Sequence, residues 1–482
     1  MHPQLILRFI GILIFFLGVS MAGPLLVSLI YKDGSTWSIF YSMLITSVIG
    51  FLCFIGTQKD KETHFSHRDG VAIVTFGWIA AGVVGAIPYL LSGSIPNFTH
   101  AYFESISGFT TTGSSILTDI EHLPEGILLW RSLTQWLGGM GIIVLSIAIL
   151  PFLGVGGMQV YKAEVPSPVV DKLKPRISDT AKTLWKVYLL ITAVEIILLF
   201  GGGMPLFEAI SHGFCTMPTG GFSPKNASIA HYNSPYFDGI IIVFMLLAGI
   251  NFSLHYKLIK GDLTIFGKDP ECRVFFVLVS LFIIVVTYNI HGTVYDSFAK
   301  AFRYAAFQVT SIITTTGFVT ADYDLWPSFS RVLLLLCMFL GAMAGSTGGG
   351  MKIMRIMLLV KHCYHEIFRI IHPHAITSVK LGGRPVPGDV LSSIWGFFLL
   401  FLGLFIVAAL VMASLGLDMI SAFASVAASI GNIGPGLGLV GPAKNYVAIP
   451  LVGKWVLIFC MILGRLEIYT VIVLLMPEYW RK

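Results

Sequence analysis

Charge is what this sequence has least of. Only 12% of its 482 residues are Asp, Glu, Lys or Arg, about half the share usual in a soluble domain. Mean hydropathy is +0.83, so a water-soluble globular protein is excluded. Paired cysteines are missing as well. Cys53, Cys215, Cys272, Cys337, Cys363 and Cys460 are scattered without a CxxC or a zinc spacing, and read as buried small apolar residues. There is no HExxH, and the apolar runs hold no nucleophile–base pair or metal cluster, which speaks against a membrane enzyme. No small-residue cleavage site follows the first apolar run, so it is expected to be a retained span rather than a signal peptide.

Long apolar runs are abundant. About 20 apolar residues cross a bilayer core, and by that measure ten spans are expected, at 5–30, 37–57, 70–92, 126–150, 183–201, 238–258, 273–291, 332–360, 390–414 and 453–476. Between successive pairs from the third onward lies one short stretch that recurs four times. Twelve residues after Ala101, Ala209, Ala305 and Ala422 stand Gly113, Gly221, Gly317 and Gly434. The tetrapeptides closing on those glycines are Thr110-Thr111-Thr112-Gly113, Pro218-Thr219-Gly220-Gly221, Thr314-Thr315-Thr316-Gly317 and Gly431-Asn432-Ile433-Gly434. Each follows about ten residues of weakly amphipathic sequence. An isolated TTTG is no more than a Thr-rich turn; four in register between paired spans describe re-entrant pore loops, at 99–114, 206–222, 298–318 and 420–435.

The expected fold is therefore an all-α integral membrane protein. Two N-terminal helices and a polar loop (1–69) precede four fused membrane–pore loop–membrane units, 70–181, 182–272, 273–389 and 390–482, around a pseudo-fourfold pore. The connectors 58–69, 151–182, 257–273 and 352–389 and the end 481–482 hold most of the Lys and Arg. The opposite loops carry Asp119, Glu121, Glu125, Asp322 and Asp324. That asymmetry puts both termini in the cytoplasm. Each unit crosses twice, so all four share one orientation, unlike an inverted-repeat transporter.

Non-helical backbone at membrane depth is tolerated where protein buries it or water lines it. Rings of backbone carbonyls there can replace a cation's hydration shell. Glycine permits the backbone angles needed, and the helix before each strand points its negative end at the ion. Expected ion ligands are Thr111, Thr112, Thr219, Gly220, Thr315, Thr316, Asn432 and Ile433. Pro218 and the pair Asn432-Ile433 break the Thr pattern, so fewer tight sites are expected than in a TVGYG filter.

FESISGFTTTG, QWLGGMGIIVLSIAILP (135–151), GGMQVYKAE (156–164), GGFS (220–223), GSTGGGMKIMRI (345–356), NIGPGLG (432–438) and GRLEIYT (464–470) together resemble the Trk/Ktr/HKT superfamily, specifically its TrkH/TrkG branch. The resemblance runs along nearly the whole chain. It implies potassium uptake in a bacterial inner membrane, a homodimer with one pore per protomer, and a cytosolic TrkA-type nucleotide-binding ring. No organic cofactor and no nucleic-acid partner are expected in this chain.

Two features below the filter stand out. The run 332–360 is interrupted by Gly345, Ser346, Thr347, Gly348, Gly349 and Gly350, and glycine costs about 1 kcal/mol per residue in a helix. Gly341 and Gly345 have small-xxx-small packing spacing; the alternative is an irregular plug in the pore, anchored by Lys352, and relatives in the family gate with this segment. Arg465 lies near the middle of the last expected span. There it serves a structural ion pair or, as the family's arginine does, sets a cation barrier and touches the gating segment. Glu195 is the single acidic residue placed to couple protons if the protein were a symporter. His362, His365, His372 and His374 lie on a basic connector and read as a solvated docking surface; with 151–181 this connector is expected to meet the regulatory ring.

Overall fold

The computed structural model describes residues 1–57, 66–149, 177–374 and 378–481. The connector at 151–181, with Lys162, Lys172, Lys174 and Arg176, and the stretch 58–69 lie mostly outside these residues, as does Lys482. The regular structure of the described chain is helical apart from a hairpin of two two-residue strands, β1 (Lys380–Leu381) and β2 (Arg384–Pro385).

Helices α1 (Pro3–Ser20) and α2 (Ala22–Tyr31) make one span, and α3 (Thr36–Ile55) returns. Asp33, in the turn between them, accepts from the backbone N–H of Gly126 at 2.7 Å and from Ser28 Oγ at 2.5 Å. Burial alone would raise its carboxyl; the hydrogen bonds from Ser28, Gly126 and Ser35 outweigh burial and hold it below the usual carboxylate range. This clamp docks the extra pair on the first unit.

Unit one is α4 (His67–Leu91), the pore helix α5 (Phe98–Phe109) and α6 (Glu125–Ile149). Unit two is α7 (Ile177–Gly201), the pore helix α8 (Leu206–Thr216), α9 (Pro235–Gly249) and α10 (Phe252–Ile259). After the short α11 (Ile265–Lys268), unit three is α12 (Pro270–Ile290), the pore helix α13 (Phe298–Ile313), α14 (Ser328–Cys337) and α15 (Ile353–Ile371). Unit four is α16 (Gly388–Ser414), the pore helix α17 (Met419–Ile430), α18 (Leu451–Arg465) and α19 (Tyr469–Ile472); the chain ends in α20 (Pro477–Trp480).

Among the described residues six helices are long and apolar enough to cross a membrane, or eight with two bent pairs counted. Helix α6 and the interrupted pair α14 and α15 stand where the other two spans were expected. The first spans of units two, three and four are mostly exposed along their apolar windows, whereas α4 is 72% buried. The difference is α1 and α3, which pack over α4 and take its place at the lipid. His2, Asp69, Arg68 and Tyr479 bring the two termini together at the start of α4. The Asp69 carboxylate accepts from the His2 backbone at 2.9 Å, and Tyr479 Oη donates to the Arg68 carbonyl. Both ends thus lie on one face.

Two expected straight spans are corrected. The run 238–258 bends by 104° between α9 and α10, because Asn251 caps α10 and the Phe252 N–H leaves the helix to donate to the Gly345 carbonyl at 3.0 Å. The run 453–476 bends by 113° after Arg465, where Glu467 takes φ +55°. Arg465 is therefore the last residue of a helix, not the middle of one. In the third unit α14 stops at Cys337, residues 338–352 are irregular, and α15 runs on to Ile371, past the expected end at 360.

Candidate functional site

The four pore helices end in strands of one shape. In each, the second residue has a left-handed backbone: Thr111 φ +53°, Thr219 +58°, Thr315 +59°, Asn432 +52°. The closing glycine is left-handed again: Gly113 +82°, Gly221 +76°, Gly317 +81°, Gly434 +101°. In an extended strand successive residues face opposite ways; alternating the backbone hand turns successive carbonyls toward one side. The N–H of the third residue returns to its own pore helix in every unit. Thr112 donates to Ser107 O at 2.9 Å, Gly220 to Cys215 O at 2.8 Å, Thr316 to Ser311 O at 2.8 Å and Ile433 to Ala428 O at 2.9 Å.

The strands close a ring in chain order. A Cβ on Gly113 would lie 2.2 Å from Gly220 O, and one on Gly221 would lie 2.1 Å from Thr316 O. A Cβ on Gly317 would lie 1.9 Å from Ile433 O, and one on Gly434 would lie 2.7 Å from Thr112 O. Each glycine thus abuts the third residue of the next strand, and the fourth returns to the first.

The ring is uneven. Strands one and three are twins: Thr110 Oγ1 donates to Ile106 O and Thr314 Oγ1 to Thr310 O, both at 2.7 Å, and Oγ1 pairs Thr110–Thr112 and Thr314–Thr316 are each 2.7 Å apart. In strand two, Gln135 of α6 donates to the Gly220 carbonyl at 2.6 Å and accepts from Phe222 N at 3.0 Å, so that carbonyl already has a protein donor. In strand four, Asn432 Nδ2 bridges to Thr112 Oγ1 at 2.9 Å and Met461 O at 3.0 Å.

One polar position behind the strands was missed in the sequence although the repeat exposes it. Three residues after each register alanine stand Glu104, His212, Gln308 and Ser425, all buried. Glu104 accepts from Ser115 Oγ and Ile116 N at 2.9 Å, and His212 Nε2 lies 3.1 Å from Ser223 Oγ. Gln308, with its amide oxygen turned to the loop, accepts from Thr320 N at 2.7 Å. Ser425 bonds within its own helix to Ala422 O. Three of the four pore helices thus hold the chain beyond their own glycine. Arg131 completes this layer: its Nε donates to Glu104 at 2.7 Å, Nη1 donates to Ser223 O at 2.9 Å, and the guanidinium lies 3.6 Å from the Phe222 ring centroid.

Residues 338–352 lie against the inner ends of the strands. Gly349 N donates to Thr315 Oγ1 at 2.7 Å, and Thr347 Oγ1 donates to Met217 O at 2.9 Å and Ala248 O at 3.1 Å. A Cβ on Gly349 would meet Gly431 O at 2.4 Å, and one on Gly348 would meet Ala342 Cβ at 2.6 Å, which is why the run is glycine. Gly345 (φ +75°) turns against Asn251, Ser346 Oγ donates back to Met343 O at 2.5 Å, and Gly350 (φ +62°) packs on Gly341. Lys352 Nζ donates to Gly348 O within the segment. Glu271, unnoticed in the sequence, accepts from Ala344 N at 2.8 Å and Met354 N at 3.0 Å and so holds both ends. Arg465 donates to Thr347 O at 2.8 Å and to Gly138 O and Gly139 O at 2.7 Å each. Its neighbour Glu467 pairs with Arg355 instead. The residues of the four strands, the segment 345–352 and Arg465, drawn from all four units, therefore form one connected cluster.

The family described as TrkH, a cation transport protein, matches residues 36–482. The chain is 44% identical over 487 residues to the Trk system potassium uptake protein TrkH of Salmonella typhimurium, covering all of both chains. It is 37% identical to the Trk system potassium uptake protein TrkG of Escherichia coli, covering 100% of this chain and 99% of that one. The crystal structure of the potassium transporter TrkH from Vibrio parahaemolyticus superposes with a TM-score of 0.89 at 40% identity, over the full length of both chains.

Proposed function

The chain belongs to the TrkH family of cation transport proteins, and on that premise we propose that it takes up potassium passively through a channel-like filter gated by its own intramembrane segment. The ring of four strands carries this reading, since each is bent by the same pair of left-handed residues and abuts the next. The carbonyls of Thr111, Thr112, Thr219, Thr315, Thr316, Asn432 and Ile433 would replace water around the ion. Gly220 contributes less, its carbonyl being shared with Gln135. Four pore-helix C-termini converge on the ring and add negative potential. Potassium, rather than another cation, is argued from the names of the relatives.

The segment 345–350, held by Lys352 and Arg465, blocks the path below the filter, and its release opens the pore. Arg465 adds a positive charge that a passing cation must meet. We place the protein as a homodimer in a bacterial inner membrane, termini cytoplasmic, under a cytosolic TrkA-type ring that moves the gate. The test is tracer flux into proteoliposomes of the purified protein with potassium, rubidium, sodium and lithium. Potassium and rubidium uptake that follows its own gradient supports the reading; uptake of all four at equal rates contradicts it.

A coupled symporter is the second reading, and Glu195 is the observation that favours it: a fully buried carboxyl on α7 with Thr216 of the second pore helix as polar neighbour. Reversal potentials decide. If Glu195→Gln leaves them on the potassium gradient and neither protein responds to pH or sodium, transport is passive; a shift with proton gradient that Glu195→Gln abolishes makes it a symporter.

A further inference from the structure

The helix that follows the gating segment carries a cluster that transport does not use. On α15, His362, His365 and Glu366 stand at i, i+3 and i+4 and so share one face. Their ligand atoms all lie within 4.8 Å of one another. His362 Nδ1 is shielded from solvent and has no hydrogen-bond partner among the described residues, a costly state for an imidazole nitrogen. The Trp395 ring of α16 closes one side, T-shaped to His362 with centroids 6.1 Å apart. His365 Nδ1 lies 3.6 Å from Glu366 Oε1. Arg369 Nη1 donates to both Glu366 oxygens, at 3.2 and 3.3 Å.

We propose that His362, His365 and Glu366 bind one divalent transition-metal ion of the zinc class. Two imidazoles and one carboxylate are the donor set of a three-ligand zinc site that leaves further positions to water. The nitrogen ligands disfavour calcium and magnesium, which take oxygen. Bonds of about 2.0–2.1 Å in tetrahedral geometry put ligand atoms about 3.4 Å apart, so the cluster, with its atoms within 4.8 Å, must tighten by up to about 1.4 Å, and Glu366 must leave Arg369. Both requirements make the site one of moderate affinity. Binding also needs neutral imidazoles, and so weakens as pH falls.

The position gives the site a consequence. Helix α15 begins one residue after Lys352, so an ion clamping one of its turns stiffens the lever attached to the gate. This step rests on the gating reading above; the binding site does not.

The experiment is calorimetric titration of zinc into the full-length protein, purified without a polyhistidine tag, with cobalt absorption as a second readout of coordination. One equivalent is expected, weakened at least tenfold by His362→Ala or His365→Ala and unchanged by His372→Ala and His374→Ala. Arg369→Gln, which frees Glu366, should tighten binding severalfold; unlike the alanine variants, it cannot mimic loss by misfolding. No stoichiometric binding, or binding that survives the His362→Ala/His365→Ala double variant, overturns the site. Zinc that binds as expected yet leaves potassium flux unchanged counts against the gating link alone.

Discussion

Alanine placed at each of the four ring glycines should do graded damage, in an order set by the neighbouring strand. Ordinary contact begins at 3.4 Å, so the shortfall is about 1.5 Å at Gly317, where the contact is 1.9 Å, and about 0.7 Å at Gly434, where it is 2.7 Å. Gly221 and Gly113, at 2.1 and 2.2 Å, lie between. All four also carry a left-handed backbone, which costs a residue with a side chain about 1–2 kcal/mol. That strain is common to the set, so the ranking comes from the clash. The obstacle is a backbone carbonyl, not the end of a flexible side chain, and relieving it pushes the next strand's carbonyl out of the ring. A loss of about 1.4 kcal/mol from an ion site is tenfold in affinity. Gly317→Ala should therefore lower the preference for potassium over sodium by about tenfold or more, and Gly434→Ala by only a few fold. The assay is competitive rubidium and sodium uptake in proteoliposomes, with melting temperature recorded for each protein. Gly403→Ala, whose Cβ meets nothing within 4 Å, is the control. Gly434→Ala proving as damaging as Gly317→Ala, or all four proving neutral, would refute the ring geometry.

Arg465→Ala removes the donors to Thr347, Gly138 and Gly139, bonds of the charged class worth about 1.5–3 kcal/mol each at most. Basal potassium flux should rise severalfold, and Arg465→Lys separates the roles because it keeps the charge while losing the fork; flux unchanged in both would remove Arg465 from gating. Arg131→Met leaves Glu104 charged and buried, at a cost of about 3–5 kcal/mol. Its thermal midpoint should fall sharply and recover in part when Glu104→Gln is added, and a double variant no more stable than the single one would contradict the pairing.

Much of the site was legible because the chain repeats itself. Four glycines at equal distances from four alanines gave the strands, and the left-handed angles at the second and fourth residues follow that register without exception. The same register carries Glu104, His212 and Gln308, yet each is of a different residue type, so only comparison by repeat position shows them as one layer. The bends were not legible. Hydropathy averaged over a span stays high across Ile250 and Leu466 although Asn251, Arg465 and Glu467 adjoin them, so it sees one span; the breaks are fixed by partners far away in sequence, the Gly345 carbonyl for Phe252 and the paired Arg355 for Glu467. The charge of Arg465 is plain in the sequence, yet its acceptors at Gly138 and Gly139 belong to unit one, and nothing local in unit four announces them.

The proposed filter and gate share hydrogen bonds, and the repeat supplies a matched test of that coupling. Thr315 and Thr111 occupy the same place in twin strands. Thr315 Oγ1 accepts from Gly349 N at 2.7 Å, while Thr111 Oγ1 has no hydrogen-bond partner among the described residues. Replacing either with valine preserves shape and leaves the carbonyl in place. At Thr315 the change orphans the buried N–H of Gly349 in the segment proposed to gate, which costs about 1–3 kcal/mol. If the segment is held shut by such bonds, that cost is drawn from the closed state alone, and Thr315→Val should raise basal flux about tenfold with little change in selectivity. Thr111→Val should leave flux near that of the parent. Single-channel or flux recordings in which the two variants behave alike would mean that the bond to Gly349 does not bear on gating, and that the segment is held by Arg465 and Glu271 without help from the filter.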